Sequence, residues 1–316
     1  MVSSNISEEM IISFPVIGIL WYWLQISMAL FSFAVLSTAE NETPKCDQSD
    51  RSLFYLEAAS DMITKAKLYY PMSPIISQSN ISSPIDCADI LRNGYNKSGV
   101  YVIWPKSRLT NDRPLNVYCD MDTDGGGWIV LQRRGNFNRS NDFFFKDWAS
   151  YKSGFGDIEK DFWMGNDNIF ALTNQRLYSI RIDLQDVEGA KKYAVYDTFW
   201  IDDENNKYTL HIKDYSGDSG DGMTVTHDNQ KFTTKDQDND AYGKNCAEEF
   251  KGGWWYNACH SSNLNGLYLR GKHESYANGV NWSSWKGNHE SLETTEMKIR
   301  PKNFKENLIS LETPAA

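Results

Sequence analysis

Positive charge is missing from the start of this chain: residues 1–39 contain no lysine or arginine, and only Glu8 and Glu9 as acids. The usual basic leader of a secretion signal is therefore absent. Over all 316 residues the net charge is −10, which excludes nucleic-acid or anionic-membrane binding through bulk charge. Histidines are few, five in all: His211, His227, His260, His273 and His289. None sits in a His-Glu-x-x-His helix, and no serine occupies a Gly-x-Ser-x-Gly elbow, so hydrolase chemistry has no recognisable seat. Internal repeats are also missing, as is the strand–helix alternation that builds a parallel sheet.

What is present begins with an uncharged run, Met10–Ala39, longer than the roughly 20 apolar residues that span a bilayer. It ends in Ser37-Thr38-Ala39, a small-x-small pattern suited to signal-peptidase cleavage. Two readings stand, a cleaved signal peptide over 1–39 or an uncleaved signal anchor, with cleavage favoured. Both place the rest outside the cytosol, and membrane attachment follows only from the second. Five cysteines fit that compartment: Cys46, Cys87, Cys119, Cys246 and Cys259. An odd number leaves one for pairing between chains. Asn-x-Ser/Thr sequons at Asn41, Asn80, Asn96, Asn138 and Asn281 agree with it.

Residues 40–84 read as a short helix, Ser52–Tyr70, followed by a Ser/Pro linker. Leu53, Leu56, Ile63 and Tyr70 approximate a heptad stripe that Ser60 and Lys67 interrupt. The helix and Cys46 are candidate oligomerising elements. Residues 85–303 read as one globular domain of the α+β class, and 304–316 as a tail. "DCADILRNG" suits a helix capped by Asp86 and stopped at Gly94. "GVYVIWP", "LNVYCDM" and "GWIVLQRR" read as strands, and Tyr178, Ile180, Ile182 and Leu184 alternate onto one face of another. "YAVYDTFWI" and "KYTLHIKDY" continue that sheet around a solvated acidic turn, "DDENN". "NDNIFALTNQ" reads as a helix. After Tyr215 regular patterns fade, and the last third reads as loops.

The chemistry concentrates in "KDQDNDAYGKNCAEEFKGGWWYNACH", Lys235–His260. Asp236, Asp238 and Asp240 alternate, so a loop can turn their carboxylates toward one centre. Hard oxygens of this kind suit Ca²⁺, although the glycine and terminal glutamate of an EF-hand loop are absent. A solvated acidic turn is the plain alternative. The Asp-x-Asp motif of metal-dependent glycosyltransferases is a third reading, which lacks the parallel sheet those folds use. Aromatics crowd His260: Trp254, Trp255, Tyr256, Tyr268, Tyr276, Trp282 and Trp285. Such walls suit a small-ligand pocket, with Trp254 and Trp282 assigned to the core.

The ordered set "CADILRNGYNKSGVYVIWP", "YCDMDTDGGGWIVLQRR", "FWMGNDNIFALT", "DNDAYGKNCAE", "GGWWYNACHSSNLNG" and "EMKIRP" resembles the fibrinogen C-terminal domain, over about Ile85 to Pro301. Within that family it is most similar to tachylectin-type lectins and ficolins. The resemblance implies a mainly antiparallel central sheet, short helices and a loop-rich binding subdomain. It implies disulfides Cys87–Cys119 and Cys246–Cys259. It places calcium on the side chains of Asp238 and Asp240 and the backbone carbonyls of Tyr242 and Lys244, with Asp236 as an outer partner. It implies a cis peptide at Ala258–Cys259 and an acetyl pocket walled by Phe250, His260, Tyr276, Ala277 and Asn288. Phe250 and Asn288 depart from the tyrosines of acetyl-binding members, Asn288 keeping an amide for the acetamide. The implied function is a secreted lectin, not an enzyme, for acetylated carbohydrates on microbial surfaces in innate immunity. It would work as a homo-oligomer. A protein-binding, matrix or signalling module of the same fold is the alternative.

Overall fold

A computed structural model describes residues 55–57, 59–65, 83–107 and 113–304. Contacts divide the chain at Gln78/Ser79. In the first part, residues 55–57 and 59–65 are helical, with Tyr55, Leu56, Met62 and Ile63 exposed. The apolar N-terminus, Cys46, Asn41, Asn80, most of the linker and most of the tail lie outside the described residues. Among the described residues no helix is long and apolar enough to cross a membrane.

The second part is built on one sheet. Helix α1, Cys87–Arg92, starts where Asp86 accepts the Asp89 N–H (2.9 Å), the capping that sequence reading expects. The strands are β1 (Gly99–Ile103), β2 (Leu115–Asp120), β3 (Trp128–Arg134), β4 (Phe155–Gly156), β5 (Phe162–Trp163), β6 (Tyr178–Gln185), β7 (Lys191–Ile201) and β8 (Leu210–Gly217), then β9 (Ser262–Asn263), β10 (Gly271–Lys272), β11 (Asn281–Trp282), β12 (Glu290–Ser291) and β13 (Thr294–Pro301). The main sheet runs β1-β2-β3-β13-β6-β7-β8, with β4 and β5 attached beside β3. Every ladder in it is antiparallel. Helices α2 (Trp148–Ser153) and α3 (Asn166–Thr173) follow β3, and the loop-rich third carries α4 (Thr224–His227), α5 (Cys246–Phe250) and α6 (Ser283–Lys286).

Strand β13 corrects the expectation that the last third is loops. It inserts at the sheet centre, pairing with β3 and along its full length with β6. Met297 and Ile299 are buried, as alternation requires, but so are the charged Lys298 and Arg300. Lys298 Nζ lies 2.6 Å from Asp120, 2.8 Å from Glu296 and 2.9 Å from Asp183. Arg300 lies over the Trp128 ring at 4.1 Å and donates to the carbonyls of Asp124 and Gly126. Buried charge of this kind is invisible to hydropathy.

The acidic turn after β7 is also more than a solvated tip. Asp203 caps its 3-10 turn, and Glu204 accepts from Trp148 Nε1 (3.0 Å) and pairs with Lys152. Behind the sheet, Tyr151, Phe155, Trp163, Phe232 and Trp255 form an edge-on and tilted aromatic cluster with neighbouring centroids 5.1–6.0 Å apart. Trp254 and Trp282 are fully buried, as expected for core residues. Burying one such large side chain is worth about 1.5–3 kcal/mol. Both intradomain disulfides form, Cys87–Cys119 joining α1 to β2 and Cys246–Cys259 closing the loop beside the aromatic core.

Candidate functional site

The loop-rich third is ordered from α5 outward. Asn245 Oδ1 caps α5 by accepting from Ala247 N (2.8 Å) and Glu248 N (3.2 Å). Its Nδ2 donates to Thr234 O (3.0 Å), tying helix start to acidic loop. That loop is laced by its own acids: Asp238 Oδ1 accepts Asp240 N, and the two oxygens of Asp240 accept Tyr242 N (2.9 Å) and Cys246 N (2.9 Å). Burial, and then the neighbouring Asp238, push the Asp240 carboxyl above its usual range. The carbonyls of Tyr242 and Lys244 accept no backbone hydrogen bond among the described residues. Two facing carboxylates and two unpartnered carbonyls are a fitting donor set for a hard divalent ion.

Asp236, implied as an outer partner, is tied elsewhere in the loop's surroundings. Its Oδ1 accepts Trp148 N (2.9 Å) and Thr234 Oγ1 (2.7 Å), fastening the loop to α2. A second acidic group, Asp186, Glu188 and Glu290, has ligand atoms within 4.8 Å of one another. Lys286 Nζ stands among them, 2.7 Å from Asp186 and 3.1 Å from Glu290, and already supplies the positive charge.

Of the residues expected to wall a ligand, Phe250 packs on His260, Tyr276 and Ala277 bond Asn288, and the Ala277 backbone faces His260. The His260 ring meets Phe250 edge-on at 4.6 Å and Tyr256 at 5.8 Å. Neither of its ring nitrogens has a close hydrogen-bond partner, although the Ala277 backbone faces the ring, and burial pushes its pKa down to about 3, so the imidazole is neutral. Ala277 is buried at φ 55°, its N–H donated to Asn288 O (2.8 Å), while Tyr276 beside it is exposed. Asn288 is engaged within the chain: Nδ2 donates to Tyr276 Oη (3.1 Å), and Oδ1 accepts from Ser283 Oγ (2.7 Å). It therefore props Tyr276 while keeping a second N–H and a second lone pair. The Ala258–Cys259 peptide is cis, Ala258 is exposed, and the Cys259 N–H makes no hydrogen bond among the described residues.

Two organising residues escape sequence reading. His227, fully buried, donates from Nδ1 to Trp255 O (2.7 Å) and accepts at Nε2 from Ser261 N and Ser262 N (both 3.2 Å). One imidazole thus holds both ends of the segment carrying Cys259 and His260. Burial pushes its pKa down to about 4. Asn263, also buried, donates to Phe250 O and Gly279 O and accepts from Tyr256 Oη (2.6 Å). No local pattern marks either, because their partners lie 7–35 residues away. Of the sequons, Asn96 and Asn138 are exposed. Asn281 is corrected: it is fully buried, with Nδ2 donated to Glu290 O (2.9 Å), and burial leaves a glycan no room there.

Comparison with known proteins places this geometry. The family model of the fibrinogen beta and gamma chains, C-terminal globular domain, matches residues 83–302. Techylectin-5A of Tachypleus tridentatus is 58% identical over 231 residues, 73% of this chain and 77% of that protein. A techylectin-like protein of Phoneutria nigriventer is 48% identical over 256 residues, 81% of this chain and 97% of its own. Among solved structures, the fibrinogen-like globe domain of human ANGPTL2 is similar at TM-score 0.66 and 41% identity, covering 69% of this chain and 99% of that one. Lamprey fibrin D-dimer, complexed with the peptide ligand Gly-His-Arg-Pro-amide, is similar at TM-score 0.64 and 30% identity, covering 90% and 94%. By sequence and by fold, the chain belongs to the fibrinogen C-terminal domain family.

Proposed function

We propose that this chain is a secreted, calcium-dependent lectin that recognises acetyl groups on glycans such as N-acetylated sugars. The observation that carries the reading is His260, half-buried with both ring nitrogens sealed from solvent and without a close hydrogen-bond partner, its ring against Phe250 and faced by the Ala277 backbone. Leaving a buried polar atom unsatisfied costs about 1–3 kcal/mol. A neutral imidazole offers one donor and one acceptor, and an acetamide offers the complement of both. The similarity to techylectins supports a lectin.

Calcium would be held by Asp238, Asp240 and the carbonyls of Tyr242 and Lys244, and would neutralise the two facing carboxylates. Its role is to fix the loop, without touching the sugar. The acetyl methyl enters against Tyr276, Ala277 and His260, and its carbonyl accepts from the Cys259 N–H. One such site is weak, with a Kd on the order of 0.1–1 mM. Useful binding then requires several heads on one surface, joined through Cys46 and the Ser52–Tyr70 helix. Acetylated microbial surfaces in innate immunity are the target this design suits.

The second reading, a protein-binding or signalling module, is favoured by the likeness to the ANGPTL2 globe. Retention on N-acetylglucosamine resin in calcium, with release by free N-acetylglucosamine or EDTA, is the outcome expected of the lectin. Failure to bind acetylated resins with or without calcium would leave the protein-binding reading.

A further inference from the structure

Trp200 has one ring face held and the other open. On β7 it pairs with His211 of β8, and the two rings stack at 4.3 Å and 11°. The strand order β6-β7-β8 puts that stack on the β8 side of the indole. The other face turns toward β6, where a groove of about 380 Å³ runs between the end of α3, the turn 174–177 and the end of β7. This volume lies within the roughly 300–1,000 Å³ of small-ligand pockets. Trp200 is half-buried in it, and Leu177 beside it is 75% exposed. No residue of the acidic loop or of the acetyl wall lines the groove.

Much of the polar lining is committed within the chain. Asn174 Nδ2 donates to Phe170 O and Ile201 O, and Gln175 bonds Ile85 O, Tyr178 Oη and Lys106 N. Arg176 pairs with Asp86 (3.0 Å) and Asp89 (3.8 Å). Three groups stay open. The exposed Asp197 carboxylate has no ion pair or hydrogen bond among the described residues. The same is true of the exposed Lys302 ammonium, a residue held at the groove by its backbone N–H on Leu177 O (3.1 Å). Asn174 Oδ1 accepts no hydrogen bond among the described residues.

One free carboxylate and one free ammonium leave this rim without net charge, which favours a neutral ligand over an ionic one. An open indole face calls for a flat apolar partner, and the polar groups around it call for hydroxyls at that partner's edge. A pyranose ring carries both, with C–H groups across its face and hydroxyls around its rim. Those hydroxyls donate to the carboxylate and the amide oxygen and accept from the ammonium. An aliphatic side chain of a protein partner would instead cover Asp197 and Lys302 without bonding them, at a desolvation cost.

We propose that this groove is a second carbohydrate subsite, seating an unacetylated hexose of a neutral glycan on Trp200, with its hydroxyls on Asp197, Lys302 and Asn174. It uses neither calcium nor the His260 pocket, so one domain offers a glycan two separate points of attachment.

Saturation-transfer NMR on the full-length chain in EDTA tests it, with the methyl glycosides of glucose, galactose and mannose as probes. At least one of the three should receive saturation, strongest at its ring C–H protons, with a Kd on the order of 1–10 mM. Trp200→Ala should weaken that binding at least about tenfold. Asp197→Asn, at an exposed position that folding does not depend on, should weaken it roughly fivefold with an unchanged melt. Absence of transfer to all three probes would overturn the proposal, and so would transfer that both substitutions leave undiminished. Hexoside binding in EDTA alongside failure on N-acetylglucosamine resin in calcium would sink the acetyl reading and uphold this one.

Discussion

Individual side chains decide this site through burial. His227 is the clearest case, because its two ring nitrogens serve three backbone groups only while the ring is neutral. Its folded pKa of about 4 lies below the ordinary 6.5, so below pH 6.5 the unfolded chain takes up a proton that the folded chain refuses. Its contribution is therefore complete above pH 6.5 and is lost as pH falls toward 4. At 1.36 kcal/mol per unit this amounts to about 3 kcal/mol. Denaturant unfolding at pH 6.5 and pH 4 should show the unaltered protein losing about that much more than His227→Gln. Equal losses would place the ring outside the network. Phe250 gives a second test. It is nearly buried against His260, and a tyrosine there would add a hydroxyl at the proposed acetyl wall. Phe250→Tyr should tighten N-acetylglucosamine binding roughly fivefold, the worth of about 1 kcal/mol for one hydrogen bond, as measured by titration calorimetry.

At the scale of elements, legibility follows chemistry. Helices α1 and α3 and strands β1, β2, β3, β6, β7 and β8 were readable because caps and alternation are local signals. Strand β13 was not, since its alternate positions carry Glu296, Lys298 and Arg300, whose burial depends on partners brought by other strands. Lys298 within its three acids should tolerate no neutral substitute. Lys298→Met leaves those carboxylates uncompensated and should lower unfolding free energy by about 3–5 kcal/mol near pH 7. The two-residue strands β9–β12 and the one-turn helices α4 and α6 were equally hidden, being too short for any period. The acidic loop was legible as a metal candidate, but not the diversion of Asp236 to α2. With calcium near a hundredfold over its Kd, about 2.7 kcal/mol of stabilisation follows, or about 5–10 °C in Tm for a domain of this size. EDTA should remove that shift from the unaltered protein, and Asp238→Ala should show none to remove; calorimetric melts in calcium and EDTA decide it.

For the whole molecule, the division of labour is a rigid antiparallel sheet beneath a loop assembly that has little regular structure of its own. Asn245, Asn263, His227 and the Cys246–Cys259 bridge tie that assembly together from below. The ion and the ligand would act from outside on geometry already largely set. The resemblance visible in the ordered motifs located both disulfides, while the supports of the loop assembly emerged only from the fold. The most direct test is a crystal structure of the protein grown with calcium and N-acetylglucosamine. The account predicts an ion 2.3–2.6 Å from the carboxylates of Asp238 and Asp240 and from the carbonyls of Tyr242 and Lys244, with the acetyl methyl against Ala277 and His260. A map with no ion between those aspartates, and with the sugar bound elsewhere or not at all, would contradict it.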